Sequence, residues 1–248
     1  MKLPNRRLAV AALVSCPWLP LSTTPAAVAK PFLDARFAID IPDDFVVSKR
    51  KSTTGTLFVS GNFPRFSVVS VTAWPVAALL QDDLKARDLP GLPVSQPLVR
   101  MGSSWAEMGT AKEVVNLLLR ARDREANGGA LQSVLLDSSL SADGHLLFHY
   151  STESPVSDPD ELERQKGVRR QIRVTTANSV LGTVPGADGS PVRAIFTAWG
   201  SALEQDYAND LKMPLEASVG SFSVASGVAV PQSEQADGGA MLPTLASQ

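Results

Sequence analysis

Apolar residues alternate with polar ones along much of this chain, and elsewhere they recur at spacings of three and four. Phe37-Ala-Ile39-Asp-Ile41 has period two and stops at Pro42-Asp43-Asp44, which predicts a half-buried strand entering a turn. Leu57-Phe-Val59 and Phe66-Ser-Val68-Val-Ser-Val71-Thr-Ala are β-branched and aromatic runs separated by Gly61-Asn62 and Pro64, the start of an antiparallel sheet. Trp74-Pro75 ends that strand, a short helix is predicted over 76–87, and Pro90, Pro93 and Pro97 then prevent regular structure. Thr110 stands three residues before Glu113, the spacing of a capping box. Val114, Val115, Leu118 and Ala121 or Arg122 follow as an apolar helical stripe. Arg120, Arg122 and Arg124 read as a solvated helix end complementing the dipole, before Gly128-Gly129.

Two hairpins come next. Residues 131–140 and 145–152 flank Ser141-Ala-Asp143-Gly144, and residues 168–177 and 192–199 flank a longer loop over 185–191. Between the hairpins, residues 153–167 are polar and carry Pro155 and Pro159, the pattern of a loop. A last helix is expected within 202–219, with Pro214 in a first turn, followed by a strand-like segment at Phe222 and Val224. From Ala225 on, Ser, Ala, Gly and Pro dominate with no aromatic or basic residue, so residues 226–248 are expected to be a disordered tail.

The N-terminus reads as an address. Lys2, Arg6 and Arg7 precede the apolar run Leu8-Ala-Val-Ala-Ala-Leu-Val14, and Ala27-Val28-Ala29 precedes Lys30. This pattern makes residues 1–29 a cleaved targeting signal, and the Arg6-Arg7 pair admits the twin-arginine route. Leu13-Val14-Ser15-Cys16 also has the look of a lipobox, so lipidation at Cys16 stays open beside cleavage after Ala29.

Composition changes this picture in one respect. With 248 residues, 44% apolar residues and one Cys, the chain is one globular domain with extra segments, neither collagen-like, wholly disordered nor disulfide-stapled. The formal charge of −2 supplies no basic field for nucleic acid, and no later run of about 18 uncharged apolar residues marks a polytopic membrane protein. Residues 1–29 hold three of the 23 basic side chains and none of the 25 acidic ones, so the processed domain carries −5.

Catalytic motifs are absent: no G-x-S-x-G, H-E-x-x-H, G-x-G-x-x-G, Walker sequence or C-x-x-C occurs. His145 and His149 are the two histidines. On one strand they would stand roughly 13 Å apart, too far to share a metal ion, so the candidate metal site is His145 with Asp143. The acidic run Asp158-Pro-Asp160-Glu161-Leu-Glu163 lacks the spacing of a Ca²⁺ loop and reads as solvated. Lys49-Arg50-Lys51 is the densest basic cluster of the processed chain and a candidate partner-docking site.

The ordered features resemble the PsbP domain proteins of the thylakoid lumen. Phe37-Ala-Ile-Asp-Ile-Pro42 is similar to the family's opening strand, with Phe45 as the aromatic after the proline, and Phe66-Ser-Val-Val-Ser-Val71 to its N-x-S-V strand. Glu107-Met-Gly109-Thr-Ala-Lys-Glu-Val-Val115 resembles its helix start, and Leu147-Phe-His-Tyr150 its next aromatic strand. Arg169 or Arg170 with the following strand, Ile195-Phe-Thr-Ala198, Glu204 with Tyr207, and Gly220-Ser-Phe222-Ser-Val224 complete the series across about residues 36–225. Tyr207 stands where a Trp is usual, the loops at 153–167 and 182–192 look expanded, and the C-terminal tail is additional.

The resemblance implies an α+β fold over residues 30–225, a central antiparallel β-sheet flanked by helices on both sides. It implies a non-enzymatic extrinsic protein in the chloroplast thylakoid lumen, peripheral to the membrane. Its partner would be a photosystem complex, with photosystem II and its oxygen-evolving complex favoured. The founding member helps to retain Ca²⁺ and Cl⁻, so Ca²⁺ enters by resemblance alone; other members are assembly or auxiliary factors. The founding member's photosystem-binding N-terminal segment is not recognisable here, which favours an auxiliary or assembly role. A family member in cyanobacteria is lipid-anchored, which keeps Cys16 in view. No plastid transit segment is recognisable ahead of the twin arginines, so a truncated start or a different host plastid is expected. Two other readings are a Ran-binding-type interaction module of the same fold, which the targeting signal disfavours, and an exported hydrolase, which the missing motifs disfavour.

Overall fold

The computed structural model describes residues 29–48, 55–86, 104–125, 133–154, 156 and 158–225. Residues 1–28 of the expected 1–29 targeting signal, with Cys16, the Lys49-Arg50-Lys51 cluster and the expected 226–248 tail lie outside the described residues.

Strand β1 (Ala29–Leu33) was not foreseen, because its Lys30-Pro31 start breaks any alternation; it pairs antiparallel with β2 (Phe37–Pro42). β2 matches its period-two pattern, burying Phe37, Ile39 and Ile41. The two-residue β3 (Val46–Val47) then pairs with β4 (Thr56–Asn62), which pairs with β5 (Ser67–Pro75). Helix α1 (Val76–Ala86) follows directly, and a short helix, α2 (Trp105–Met108), precedes α3 (Ala111–Glu125). α2 was also missed. One turn offers no periodicity to read, but its Trp105 indole N–H is held by the Gly144 carbonyl at 2.7 Å.

The capping box forms as the spacing predicts. The Thr110 N–H donates to Glu113 Oε2 at 2.8 Å, and the Glu113 N–H donates to Thr110 Oγ1 at 3.3 Å. The Thr110 backbone N–H, then its hydroxyl, hold the Glu113 carboxyl below the usual carboxylate range. This contribution is therefore present above the ordinary Glu range and lost as pH falls through the lowered value. Thr110→Ala should lower the melting temperature by about 2–4 °C at neutral pH. The same substitution should cost progressively less in melts as pH falls from the ordinary Glu range through the lowered value, where Glu113 becomes protonated in the unaltered chain as well.

β6 (Ser133–Leu140) and β7 (Leu146–Ser154) form the first hairpin. The 153–167 stretch, expected as a loop, is corrected: β7 runs to Ser154, and α4 (Pro159–Lys166) occupies most of the rest. Asp158 caps α4 by accepting the Glu161 N–H at 2.9 Å, Pro159 sits in its first turn, and Gly167 ends it at φ +70°. The acidic run thus lies where it complements a helix dipole.

The second hairpin is far longer than its sequence suggests. β8 (Gln171–Pro185) and β9 (Pro191–Leu203) stay in register from Arg173↔Leu203 to Pro185↔Pro191, so 182–185 and 191–192 are strand and not an expanded loop. Gly182 lies within β8 as a packing requirement: a Cβ there would lie 2.8 Å from the Phe196 ring. β9 passes into a helical run made of α5 (Glu204–Asp206), a π-helical turn (Tyr207–Leu211) and α6 (Lys212–Gly220). Pro214 falls in the first turn of α6, and the wide turn before it relieves the clash its ring would make four residues back. β10 (Ser223–Val224) closes the chain against β2.

The main sheet is antiparallel, ordered β3-β4-β5-β9-β8-β7-β6, with β1-β2-β10 as a small second sheet. Alternation in β9 separates two cores. Ala194, Phe196, Ala198 and Ala202 pack with Phe37, Ile39, Leu215 and Phe222; Ile195 and Trp199 pack with α1, α3, Phe148 and Tyr150. Helices therefore cover both faces of a central antiparallel sheet, an α+β fold as expected.

Candidate docking surface

Between β4 and β5 the chain makes a one-turn 3₁₀ helix, Phe63–Arg65, which Pro64 favours by presetting φ. Phe66 closes it in the left-handed region at φ 53° and ψ 27°, a conformation that costs a bulky residue about 1–2 kcal/mol. Neither ring is repaid by burial: Phe63 is 51% exposed and Phe66 56% exposed. The turn is instead tied down from three directions. Arg65 grips Asp210 of the π-helical turn through two bonds of 2.6 and 2.7 Å, Arg173 of β8 donates to the Phe66 carbonyl at 2.8 Å, and Asn62 donates to Asp44 at 2.8 Å. The result is a braced turn presenting two aromatic side chains to solvent. Val46 and Val47, also exposed, stand beside it on β3, opposite Gly61 and Ser60. Rigid exposed aromatics flanked by arginine are the composition of a protein-docking anchor.

Arg173 links this turn to a second feature. Its Nε donates to Ser201 Oγ at 3.1 Å, and on the same sheet face the Arg122 guanidinium lies 4.5 Å above the Trp199 ring and 5.8 Å from that of Tyr150. Burial first, and the positive charge of Arg122 second, hold Arg173 below the ordinary guanidinium value. The expected solvated helix end is corrected here: Arg120 pairs with Asp83 at 2.7 Å, Arg122 caps the aromatic core, and Arg124 lines a cleft of about 360 Å³. That cleft is walled by Trp74, Pro75, Leu79 and Asp82, and the buried Trp74 indole N–H has no hydrogen-bond partner among the described residues.

The basic cluster Lys49, Arg50 and Lys51 lies outside the described residues, separated by Ser48 from the exposed Val46-Val47 in sequence. His145 is occupied differently from the reading that paired it with Asp143. Its Nδ1 lies 3.0 Å from Asn178 Oδ1, and Asn178 Nδ2 donates to the Val219 carbonyl at 3.0 Å. That second bond turns the Asn178 oxygen toward the ring, so Nδ1 is the donor. The contact clasps the hairpin turn to the end of α6, while Asp143 sits exposed on the turn itself. Among the described residues, no three His, Cys, Asp or Glu gather as metal ligands do.

A cluster that sequence reasoning missed surrounds His149. Its Nδ1 meets Asp137 Oδ1 at 2.8 Å across the β6–β7 pair, and its Nε2 lies 3.4 Å from Glu216 of α6, at ion-pair distance but misaligned for a hydrogen bond. The Tyr207 hydroxyl donates to the same Glu216 oxygen at 3.3 Å; burial, then the Glu216 charge, push this phenol far above its usual range. The strand pairing Asp137↔His149 depends on the irregularity at Leu136, which no local pattern announces. The cluster joins the β6–β7 edge of the sheet to α6.

No family model matches the chain, and no curated protein matches it. Among solved structures, it is similar to the crystal structure of LpqN, involved in cell envelope biogenesis of Mycobacterium tuberculosis. The identity is 11% and the TM-score 0.37, over 80% of this chain and 91% of that one.

Proposed function

We propose that the chain is a non-enzymatic extrinsic protein of the PsbP type, docking from the lumenal side on a photosynthetic membrane complex, photosystem II favoured, as an auxiliary or assembly factor. The docking role rests on one observation: a strained turn, braced by Arg65, Arg173 and Asn62, that keeps Phe63 and Phe66 in solvent. Strain and exposed aromatic surface both cost stability, and a partner that buries the rings offsets both. The photosynthetic setting comes from the ordered motifs of the sequence. Its support is that Phe37, Ile39, Ile195 and Phe222 of those motifs are core residues, the role that the resemblance assigns to them. The link to Ca²⁺ belongs to the same resemblance.

The test is fractionation. The protein should sediment with thylakoid membranes and be released by a wash in about 1 M NaCl, which shortens electrostatic range to roughly 3 Å. Recovery from the cytosol alone, or retention on the membrane through that wash and through carbonate at high pH, would sink an extrinsic lumenal role.

A further inference from the structure

Six arginines of the described chain meet carboxylates: Arg36, Arg65, Arg120, Arg164, Arg169 and Arg170 pair with Asp34, Asp210, Asp83, Glu161, Asp160 and Glu153. Arg122 and Arg173 are different. Both are half-buried on the same end of one sheet face, yet neither meets a carboxylate among the described residues. Asp123, the acidic residue nearest in sequence to Arg122, spends its oxygens on the Ser133 N–H at 2.9 Å and the Ser133 hydroxyl at 2.7 Å. Two like charges are thus partly withdrawn from water, and the Arg122 charge bears on Arg173 there.

Their positions are over-determined. The Arg122 guanidinium is stacked on Trp199, and Arg173 is held through Nε by Ser201 and through Nη2 by the Phe66 carbonyl. Strand register makes the patch contiguous. Tyr150, Thr175 and Ser201 are neighbours across β7, β8 and β9, and Trp199 lies two residues from Ser201 on the same face. The donors left over are also complementary to one class of ligand. Arg122 spends no N–H on a hydrogen bond among the described residues, and Arg173 keeps its Nη1 group. Ser201, buried to more than nine-tenths, accepts from Arg173 and so retains its own O–H. Forked N–H donors of this kind match the paired oxygens of a carboxylate or phosphate.

We propose that Arg122 and Arg173, with the Ser201 hydroxyl, form a seat for an oxyanion. The anion neutralises the pair, and because Arg173 also holds the Phe66 carbonyl, a filled seat stiffens the aromatic turn. The seat stands independently of the photosynthetic assignment, since it needs only the folded chain.

The experiment titrates the full chain with inorganic phosphate and, in a parallel arm, sodium acetate, each at constant ionic strength made up with NaCl. It follows the Arg Nε–H signals and the Trp199 indole N–H signal by NMR. Saturable shifts of the Arg122 and Arg173 signals with a dissociation constant of about 10 mM or tighter are expected in at least one arm. Saturation with phosphate alone identifies a tetrahedral oxyanion, and saturation with acetate a carboxylate; either supports the seat. R122Q and R173Q, made singly so that one guanidinium remains if the pair is needed for folding, should each weaken binding about tenfold. R193Q, which removes an exposed charge from β9, should bind as the unaltered chain does. No saturation in either arm overturns the seat. So does unchanged binding by both single variants, or an equal loss in R193Q.

Discussion

Trp199→Ala should remove a large part of the stability of this fold. The side chain is 0% exposed and stands at the centre of the second core. Trp74, Phe148 and Tyr150 meet its ring edge to face at 5.9, 5.6 and 6.0 Å, and Arg122 covers it. Its indole N–H donates to Thr72 Oγ1 at 2.9 Å, joining β9 to β5. Truncation forfeits the transfer energy of the ring and leaves a cavity whose walls belong to strands in a continuous ladder, so collapse is restricted. The expected loss is about 3–5 kcal/mol. The buried Thr72 hydroxyl loses its donor as well. Against a total stability of about 5–15 kcal/mol, that loss lowers the melting temperature by roughly 6–20 °C. Thermal unfolding followed by circular dichroism checks it, with Trp199→Phe as the milder comparison. A melting temperature within about 3 °C of the unaltered protein would mean that this cluster does not hold the two helices to the sheet.

Removing the two exposed phenylalanines should do the opposite to stability and much more to docking. In the variant carrying Phe63→Ser and Phe66→Gly, glycine adopts φ near +53° without the steric cost that Phe66 bears, so the melting temperature should hold or rise by a few degrees. If the rings are the anchors of the proposed interface, rebinding to salt-washed thylakoid membranes should fall by more than about tenfold, since a buried aromatic anchor contributes about 2 kcal/mol or more. The combination of retained fold and lost rebinding separates an anchor from a core residue. Rebinding at the unaltered affinity would move the docking surface elsewhere on the molecule.

Local rules explain which features were legible. The capping box at Thr110 and Glu113, the alternation of Phe37, Ile39 and Ile41, and the Asp143-Gly144 turn each depend on residues within one turn or one strand, where spacing is itself geometry. Asp158, Pro159 and Gly167 carry the start and stop signals of α4, but the acidic, proline-containing composition of the stretch is that of a loop and masks them. The strand expected over 168–177 continues to Pro185, because the register that seats Gly182 against the Phe196 ring is set by β9 and not by local pattern.

The candidate surfaces were beyond reach for a related reason. Arg122 looked like a solvated helix end, yet Trp199 lies beneath it; Phe66 looked like an ordinary strand opening, yet its carbonyl is held by Arg173, 107 residues further on. Local sequence offers His149 only His145 as a neighbour, whereas its partners Asp137 and Glu216 come from the neighbouring strand and the last helix.

Fold class, the first capped helix and both hairpins were thus written in short-range patterns of polarity and turn chemistry, because backbone geometry makes nearby residues share a face. Which arginines found carboxylates, which aromatics stayed in solvent and which histidine joined sheet to helix were settled when seven strands took their order and register. Those contacts join residues distant in sequence, and no local periodicity encodes the partner of a charge on another strand.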